Sequence, residues 1–81
     1  MARAVTRQHR DAIARLRDGD WQAAHVIVQH LDDALACRVH ALCHRIEGDL
    51  ANARYWYRRA KLPYPGHLSI EEELDALEKG R

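Results

Sequence analysis

Apolar residues recur along this chain at spacings of three and four, which is the periodicity of amphipathic α-helices. Five such stretches are separated by residues that stop or start a helix. The pattern predicts helices over about residues 4–18, 21–31, 33–47, 50–61 and 69–79. It therefore predicts an all-α fold.

Two Gly-Asp pairs mark boundaries between the predicted helices. Gly19 is a C-terminal stop for the first helix, and Asp20 stands where the N-cap of the second belongs. Gly48 and Asp49 occupy the same positions between the third and fourth helices. Each pair predicts a tight turn between two antiparallel helices.

The segment 62–68 contains two prolines and cannot continue the fourth helix. Ser69, followed three residues later by Glu72, forms a capping-box sequence that begins a short last helix. The apolar edge of that helix consists of Ile70, Leu74 and Leu77. We expect this helix to cap the end of the stack.

The third predicted helix has two faces that can be buried. One apolar stripe comprises Leu35, Val39, Leu42 and Ile46. The other comprises Cys37, His40, Ala41 and His44. A helix that is apolar on two sides is usually packed between neighbours, so this helix is predicted to be sandwiched between other helices.

A short sequence repeat accompanies the two Gly-Asp turns. The segment 19–24 recurs about 29 residues later as the segment 48–53. Ala24 and Ala53 occupy the fourth position after each aspartate, where a small side chain lets two helices approach closely. This pattern resembles the tetratricopeptide repeat.

The second copy fits that family best. Its matching positions are Ala41, Gly48, Asp49, Ala53, Tyr57, Ala60 and Pro65. It departs from the family at Cys37, where a large aromatic is expected, and at His40, where a leucine is expected. The resemblance implies one domain over residues 1–81, with two helical hairpins at about 4–31 and 33–61, a loop at 62–68 and a capping helix at 69–79.

A closer resemblance covers about residues 19–78. Its residues are Trp21, Ala24-His25, Gln29, His40-Ala41, His44-Arg45, Glu47-Gly48-Asp49, Asn52-Ala53 and the run from Tyr55 to Ala60. This pattern is similar to a group of small bacterial proteins without assigned function. The resemblance implies a helical-repeat-like domain in the bacterial cytoplasm, and it transfers no catalytic residue to this chain.

Composition excludes several classes of function. The 81 residues include 13 basic and 12 acidic side chains, and a net charge of +1 gives no general attraction to nucleic acid or to anionic membranes. Cys37 and Cys43 point about 120° apart on one predicted helix and cannot bridge each other there. The chain has no secretory or membrane-spanning pattern, so the cytoplasm is the predicted location.

The third helix also carries a candidate metal site. Cys37, His40 and His44 are spaced i, i+3 and i+7 on one face, and thiolate and imidazole are good ligands for zinc, iron or copper. His25 on the second helix could complete the ligand set, with supporting groups from Tyr57 or Asp49. The alternative is a core face whose histidines are satisfied by neighbouring hydroxyls or carbonyls.

The run from Arg54 to Arg59 interleaves aromatic residues with arginines, a pattern suited to an anionic ligand or a partner protein. Helical spacing turns Trp56 and Tyr57 inward, where they belong to the scaffold with Trp21, Ala24 and Ala53. The predicted contact surface consists of Tyr55, Arg58, Arg59 and Asn52. The alternative is a set of solvated arginines over a core.

An enzymatic role has weaker support. Glu47 follows His44 by three residues, so an acid/base pair of a small hydrolase-type enzyme is conceivable. No nucleophile, phosphate loop or oxyanion motif accompanies that pair. The three acids at 71–73 are explained by the helix dipole, which favours acids in a first turn.

These observations favour a non-enzymatic protein-interaction or scaffold module without a cofactor. It would bind a partner protein or a second copy of itself as a homodimer, because a small core leaves apolar surface to cover. The alternative is a metal-binding protein that holds a transition metal such as zinc at Cys37, His40, His44 and His25.

Overall fold

Five α-helices form the protein, whose computed structural model describes residues 5–79. They are α1 (Arg7–Arg17), α2 (Trp21–Val28), α3 (Ala34–Glu47), α4 (Leu50–Arg59) and α5 (Ile70–Glu78). No strand occurs within residues 5–79, so the all-α prediction is confirmed. None of the helices in this range has the length and apolar character needed to cross a membrane.

A side chain that accepts a hydrogen bond from the third helical residue caps the start of every helix. These residues are Thr6, Asp20, Asp33, Asp49 and Ser69. Ser69 and Glu72 form the predicted capping box. Thr6 forms a second one with His9, which is why α1 begins at Arg7. Its predicted start near residue 4 lies outside the described residues.

Glycines in the left-handed backbone conformation follow α1 and α3, at the two turns that the Gly-Asp pairs predict. Gly19 has φ +83° and Gly48 has φ +95°, a region that costs a residue with a side chain about 1 kcal/mol or more. Lys61 adopts φ +62° just after α4 without that freedom. The chain therefore turns sharply after α1, α3 and α4.

Helix α3 packs between neighbours, as its two apolar stripes predict, and contacts α1, α2, α4 and α5. The larger core joins α3 to α1, α2 and α5 through Ala12, Ile13, Leu16, Ala24, Val28, Ala36, Val39, Leu42, Cys43, Leu74 and Leu77. A smaller core joins it to α4 through Ala41, Ala53 and Tyr57. Both cysteines are free and buried, in agreement with their spacing.

The inner face of α5 differs from the prediction. Ile70 was expected on its apolar edge, but it is 38% exposed, whereas Glu73 is fully buried beside Leu74 and Leu77. The Glu73 carboxylate lies 2.6 Å from the Tyr57 hydroxyl and 3.1 Å from an Arg45 guanidinium nitrogen. These donors compensate the buried carboxylate, so the acid and not Ile70 faces the interior.

A second set of ion pairs lies on the surface between α1 and α5. The Arg17 guanidinium lies 2.6 Å from Asp75 and 2.7 Å from Glu78. Its hydrogen bond holds the pKa of Glu78 below the usual value. The buried Glu73 and the exposed pair Asp75 and Glu78 thus hold this last helix against the rest of the protein.

Candidate metal centre

Three histidines from two helices converge beside α4. His25 lies on α2, while His40 and His44 lie one turn apart on α3. One nitrogen from each ring lies within 4.8 Å of the other two. The ring centroids are 4.5 Å apart for His25 and His40, 5.2 Å for His25 and His44, and 5.1 Å for His40 and His44. The packing of α2 on α3 therefore assembles three potential ligands.

His40 is the most buried of the three, with 5% of its surface exposed. Its ring stacks on Trp56 of α4, with centroids 3.8 Å apart and planes 13° from parallel. Its Nδ1 atom is buried and has no hydrogen-bond partner. Leaving a buried polar atom unpaired costs about 1–3 kcal/mol. The stacking contact thus fixes the His40 ring, and no hydrogen bond offsets the free-energy cost of burying its Nδ1 atom.

Burial keeps two of the imidazoles neutral. Desolvation, reinforced by the neighbouring His25 and His44, lowers the pKa of His40 to about 4. Burial, reinforced by His44 and opposed by Glu47, also lowers the pKa of His25 from its usual value. Neutral imidazole is the form that ligates a metal. These two rings therefore need not lose a proton at pH 7 before they bind a metal ion.

A carboxylate orients His44. Its Nδ1 atom lies 2.9 Å from Oε1 of Glu47. Because an ionised carboxylate can only accept, Nδ1 donates the proton, and in the neutral form of the ring the lone pair is then on Nε2. Supporting carboxylates orient metal-ligating histidines in this way. The acid/base pair expected from sequence is therefore assembled, in an arrangement that equally suits a metal ligand.

Asp49 extends the carboxylate side of the site. It joins His44 and Glu47 in a second group whose potential ligand atoms lie within 4.8 Å of one another. The Asn52 side-chain amide donates to Asp49 at 2.8 Å. Hydrogen bonds from the Asn52 side chain and amide lower the pKa of Asp49. The site therefore combines neutral imidazoles on one side with carboxylates on the other.

Two residues that the sequence placed at this site lie elsewhere. Cys37 is outside the group of three histidines, and its buried thiol donates to the carbonyl oxygen of Asp32 at 3.6 Å. Burial raises the pKa of that thiol, which disfavours the thiolate a metal requires. The Tyr57 hydroxyl donates to Glu73. Among the supporting groups expected from sequence, only Asp49 lies near the histidines.

The four residues of the predicted contact surface, Asn52, Tyr55, Arg58 and Arg59, are all exposed on α4. A guanidinium nitrogen of Arg59 donates to the Tyr55 hydroxyl at 3.3 Å. The Asn52 side chain donates to Asp49, at the edge of the histidine group. The structure therefore brings the four residues to one exposed side of α4, and Asn52 also supports the carboxylates beside the histidines.

The sequence does not predict the contacts of two structurally important residues. Trp56 was assigned to the scaffold, with no signal that it would stack on His40. Glu73 was attributed to the helix dipole, although its position between Ile70 and Leu74 placed it within the apolar stripe. The signal in the sequence that could indicate a buried acid is the pair of arginines on α3, whose burial requires an anionic partner.

No protein-family model, no curated protein and no solved structure matches the chain.

Proposed function

We propose that this protein binds a transition metal ion, of which zinc is the simplest candidate, through His25, His40 and His44. The observation that carries the proposal is the convergence of three imidazoles whose ligand atoms lie within 4.8 Å of one another. A core of satisfied histidines, the alternative, would pair each buried nitrogen. His40 Nδ1 is buried without a partner.

The separation of the ligand atoms is compatible with coordination after small side-chain rotations. Zinc binds imidazole nitrogen at about 2.0–2.1 Å, so nitrogens in a tetrahedral site lie about 3.3 Å apart. The second torsion of histidine has a broad energy minimum. Three protein ligands leave one position for water or another small ligand. Sites of imidazole alone suit zinc, copper and nickel.

Glu47 and Asp49 give the proposed site its outer layer. Three neutral imidazoles leave the full charge of a divalent ion, which nearby carboxylates stabilise. Glu47 fixes the His44 proton on Nδ1, so that Nε2 is free to bind. Asn52 in turn fixes Asp49. Residues around the turn after α3 thus support the ligands without being ligands themselves.

We also infer that the scaffold consists of two stacked hairpins in the manner of tetratricopeptide repeats, with α5 as a cap. Helix α1 packs against α2, and α3 packs against α4. Ala24 and Ala53, equivalent in the turn repeat, are both fully buried. This arrangement explains why a histidine on α2 reaches histidines on α3.

Calorimetric titration of chelator-treated protein with zinc chloride tests the proposal. We expect one zinc ion per chain. Replacement of His25, His40 or His44 by alanine should weaken binding more than about 100-fold, because loss of a supporting group alone costs about 10- to 100-fold. Circular dichroism checks that each variant is folded. If His40→Ala does not fold, His40→Gln replaces it in the titration.

Two substitutions serve as matched controls. His30→Ala removes an exposed histidine outside the group, and Cys37→Ser removes the thiol that lies apart from it. Both should bind zinc as the wild type does. An absence of zinc binding by the folded wild-type protein would refute the proposal, as would equal loss in the His30→Ala variant.

A further inference from the structure

The outer surface of α4 carries positive charge that the described residues do not neutralise. Arg54, Arg58 and Arg59 on α4 and Lys61 just after it are exposed, and none makes an ion pair with another described residue. Asp32 interacts with Arg59 only at longer range. No acidic residue occurs in the segment 50–67. Arg17, Arg38 and Arg45, by contrast, all pair with acids of α5.

These cations lie on a single helix face. Arg54 and Arg58 are one turn apart along one edge, and Tyr55 and Arg59 are one turn apart along the other. Around the helix axis, Arg54 and Arg59 are separated by about 140°, and the small Ala51 lies between them. Side chains one turn apart lie about 5–6 Å from each other at Cβ. The cations therefore repeat with the period of an α-helix.

Aromatic rings hold two of these arginines in place. The Arg59 guanidinium carbon lies 5.2 Å from the Trp56 ring centroid and 6.0 Å from that of Tyr55. The Arg54 guanidinium carbon lies 5.0 Å from the Tyr64 ring centroid. Cations held this way lose less freedom when they bind an anion. Tyr55 is 42% exposed and adds an apolar surface between them.

We propose that this face of α4 binds an acidic helix of a partner protein. Carboxylates one turn apart on such a helix would pair with Arg54, Arg58 and Arg59, while a small apolar side chain would pack on Tyr55. Charge complementarity identifies the occupant, since α4 offers three exposed arginines and has no acidic side chain of its own. A partner docked here approaches α4 from outside, opposite the small core shared with α3.

A nucleic acid fits this surface less well. Proteins that bind a polyanion by charge use a field extending over several phosphates. The net charge of the chain is only +1, and the face spans one ten-residue helix, about 15 Å long. A single acidic helix matches that length.

A fluorescein-labelled peptide is the test probe. It has sixteen residues, predominantly alanine, with glutamates at i, i+4 spacing and one leucine. Its anisotropy is measured with the full-length protein in the presence of a chelator, so that the result does not depend on the metal site. We expect binding that weakens more than about tenfold between low and physiological salt, because exposed charges are screened.

Substitutions identify the surface. Arg58→Glu and Tyr55→Ala should each weaken binding of the peptide at least about tenfold while leaving the circular dichroism spectrum unchanged. Arg15→Glu is the matched control, since Arg15 is an exposed, unpaired arginine on α1. It should bind as the wild type does.

Three results would overturn the proposal. Equal binding by Arg58→Glu and the wild type would show that the face is not used. Tighter binding of a twelve-nucleotide oligothymidylate than of the peptide would show that the face recognises phosphates. A doubling of mass in sedimentation that Arg58→Glu abolishes would identify a second copy of this chain as the occupant.

Discussion

At the scale of single residues, two buried histidines differ in what their neighbours supply. His9 on α1 accepts a hydrogen bond from the Thr6 amide at 3.0 Å through Nδ1. Its Nε2 lies 2.8 Å from Oδ2 of Asp33. His40 is equally buried, but its Nδ1 has no partner. Neither His9 Nε2 nor His40 Nδ1 makes a hydrogen bond of regular geometry, but the Asp33 carboxylate lies against the first and supplies an ionic contact. His40 Nδ1 has no such contact among the described residues, and this nitrogen is the one that retains a capacity to bind.

The contact between His44 and Glu47 leads to a prediction about affinity. Glu47→Gln removes the ionised acceptor that keeps the proton on Nδ1 of His44. We expect zinc affinity to fall about 10- to 100-fold, with little change in stability because Glu47 is exposed. Competition with a chromophoric chelator measures this loss. Asp11→Asn, at an exposed acid on α1, should have no effect, and unchanged affinity in Glu47→Gln would contradict the assigned role.

At the scale of helices, the sequence predicts the five helices and most of their boundaries because the determining signals are local. Asp20, Gly48 and Ser69 each act on backbone groups a few residues away, so their effect can be read without knowing the tertiary structure. The start of α1 is harder to predict, because it depends on a hydrogen bond between Thr6 and the ring of His9. A histidine in a capping box is not a pattern that sequence rules anticipate.

Asp33 shows how one side chain serves two helices. Its Oδ2 accepts from the Ala36 amide at 3.1 Å at the start of α3, and the same oxygen lies 2.8 Å from Nε2 of His9 on α1. Asp33→Ala should lower the free energy of unfolding by about 2–3 kcal/mol, because the cap is lost and His9 becomes unpaired. Asp33→Asn retains an oxygen there and should cost less than about 1 kcal/mol. Urea unfolding measures both, and equal losses would contradict this account.

The same residue sets a pH dependence. Burial would raise the pKa of Asp33, but hydrogen bonds from the Ala36 amide and from His9 outweigh it and lower the pKa. A carboxyl whose pKa is lower in the folded state stabilises the protein above its unfolded pKa, near 4, and loses that contribution as the pH falls. The stability difference between the wild type and Asp33→Asn should therefore shrink below about pH 4. A constant difference between pH 6 and pH 3 would refute the assignment.

At the scale of the whole molecule, the buried Glu73 connects three helices. It accepts from Tyr57 on α4 and from Arg45 on α3, and the Arg38 guanidinium lies 3.5 Å away. Burial, together with the bond to Glu73, raises the pKa of Tyr57, so its hydroxyl stays protonated and donates. This network fixes α5 against α3, and with it the helix that carries His40 and His44.

Removal of Glu73 tests that connection. Glu73→Ala leaves two arginines with little exposure and without their partner, and loss of one member of a buried ion pair typically costs about 3–5 kcal/mol. Tyr57→Phe, which removes one donor, should cost about 1–3 kcal/mol. Glu71→Ala, at an exposed acid of the same run, should cost less than about 1 kcal/mol. Urea unfolding measures all three, and equal losses at positions 71 and 73 would contradict a connecting role for Glu73.

The candidate site could be predicted only in part. His40 and His44 share a face by helical spacing alone, and the addition of His25 required only that α2 pack against α3. Cys37 has the same spacing signal, but its thiol is directed to a backbone carbonyl of the preceding turn. That direction depends on side-chain rotation, which periodicity does not encode.

The most direct test of the central claim is the X-ray absorption spectrum of the zinc-loaded protein at the zinc edge. We predict a first shell of nitrogen and oxygen at about 2.0 Å, with the outer scattering of three imidazole rings and no sulfur at about 2.3 Å. A sulfur shell would place a cysteine on the metal and refute the three-histidine site. A shell without imidazole scattering would refute metal binding by these histidines altogether.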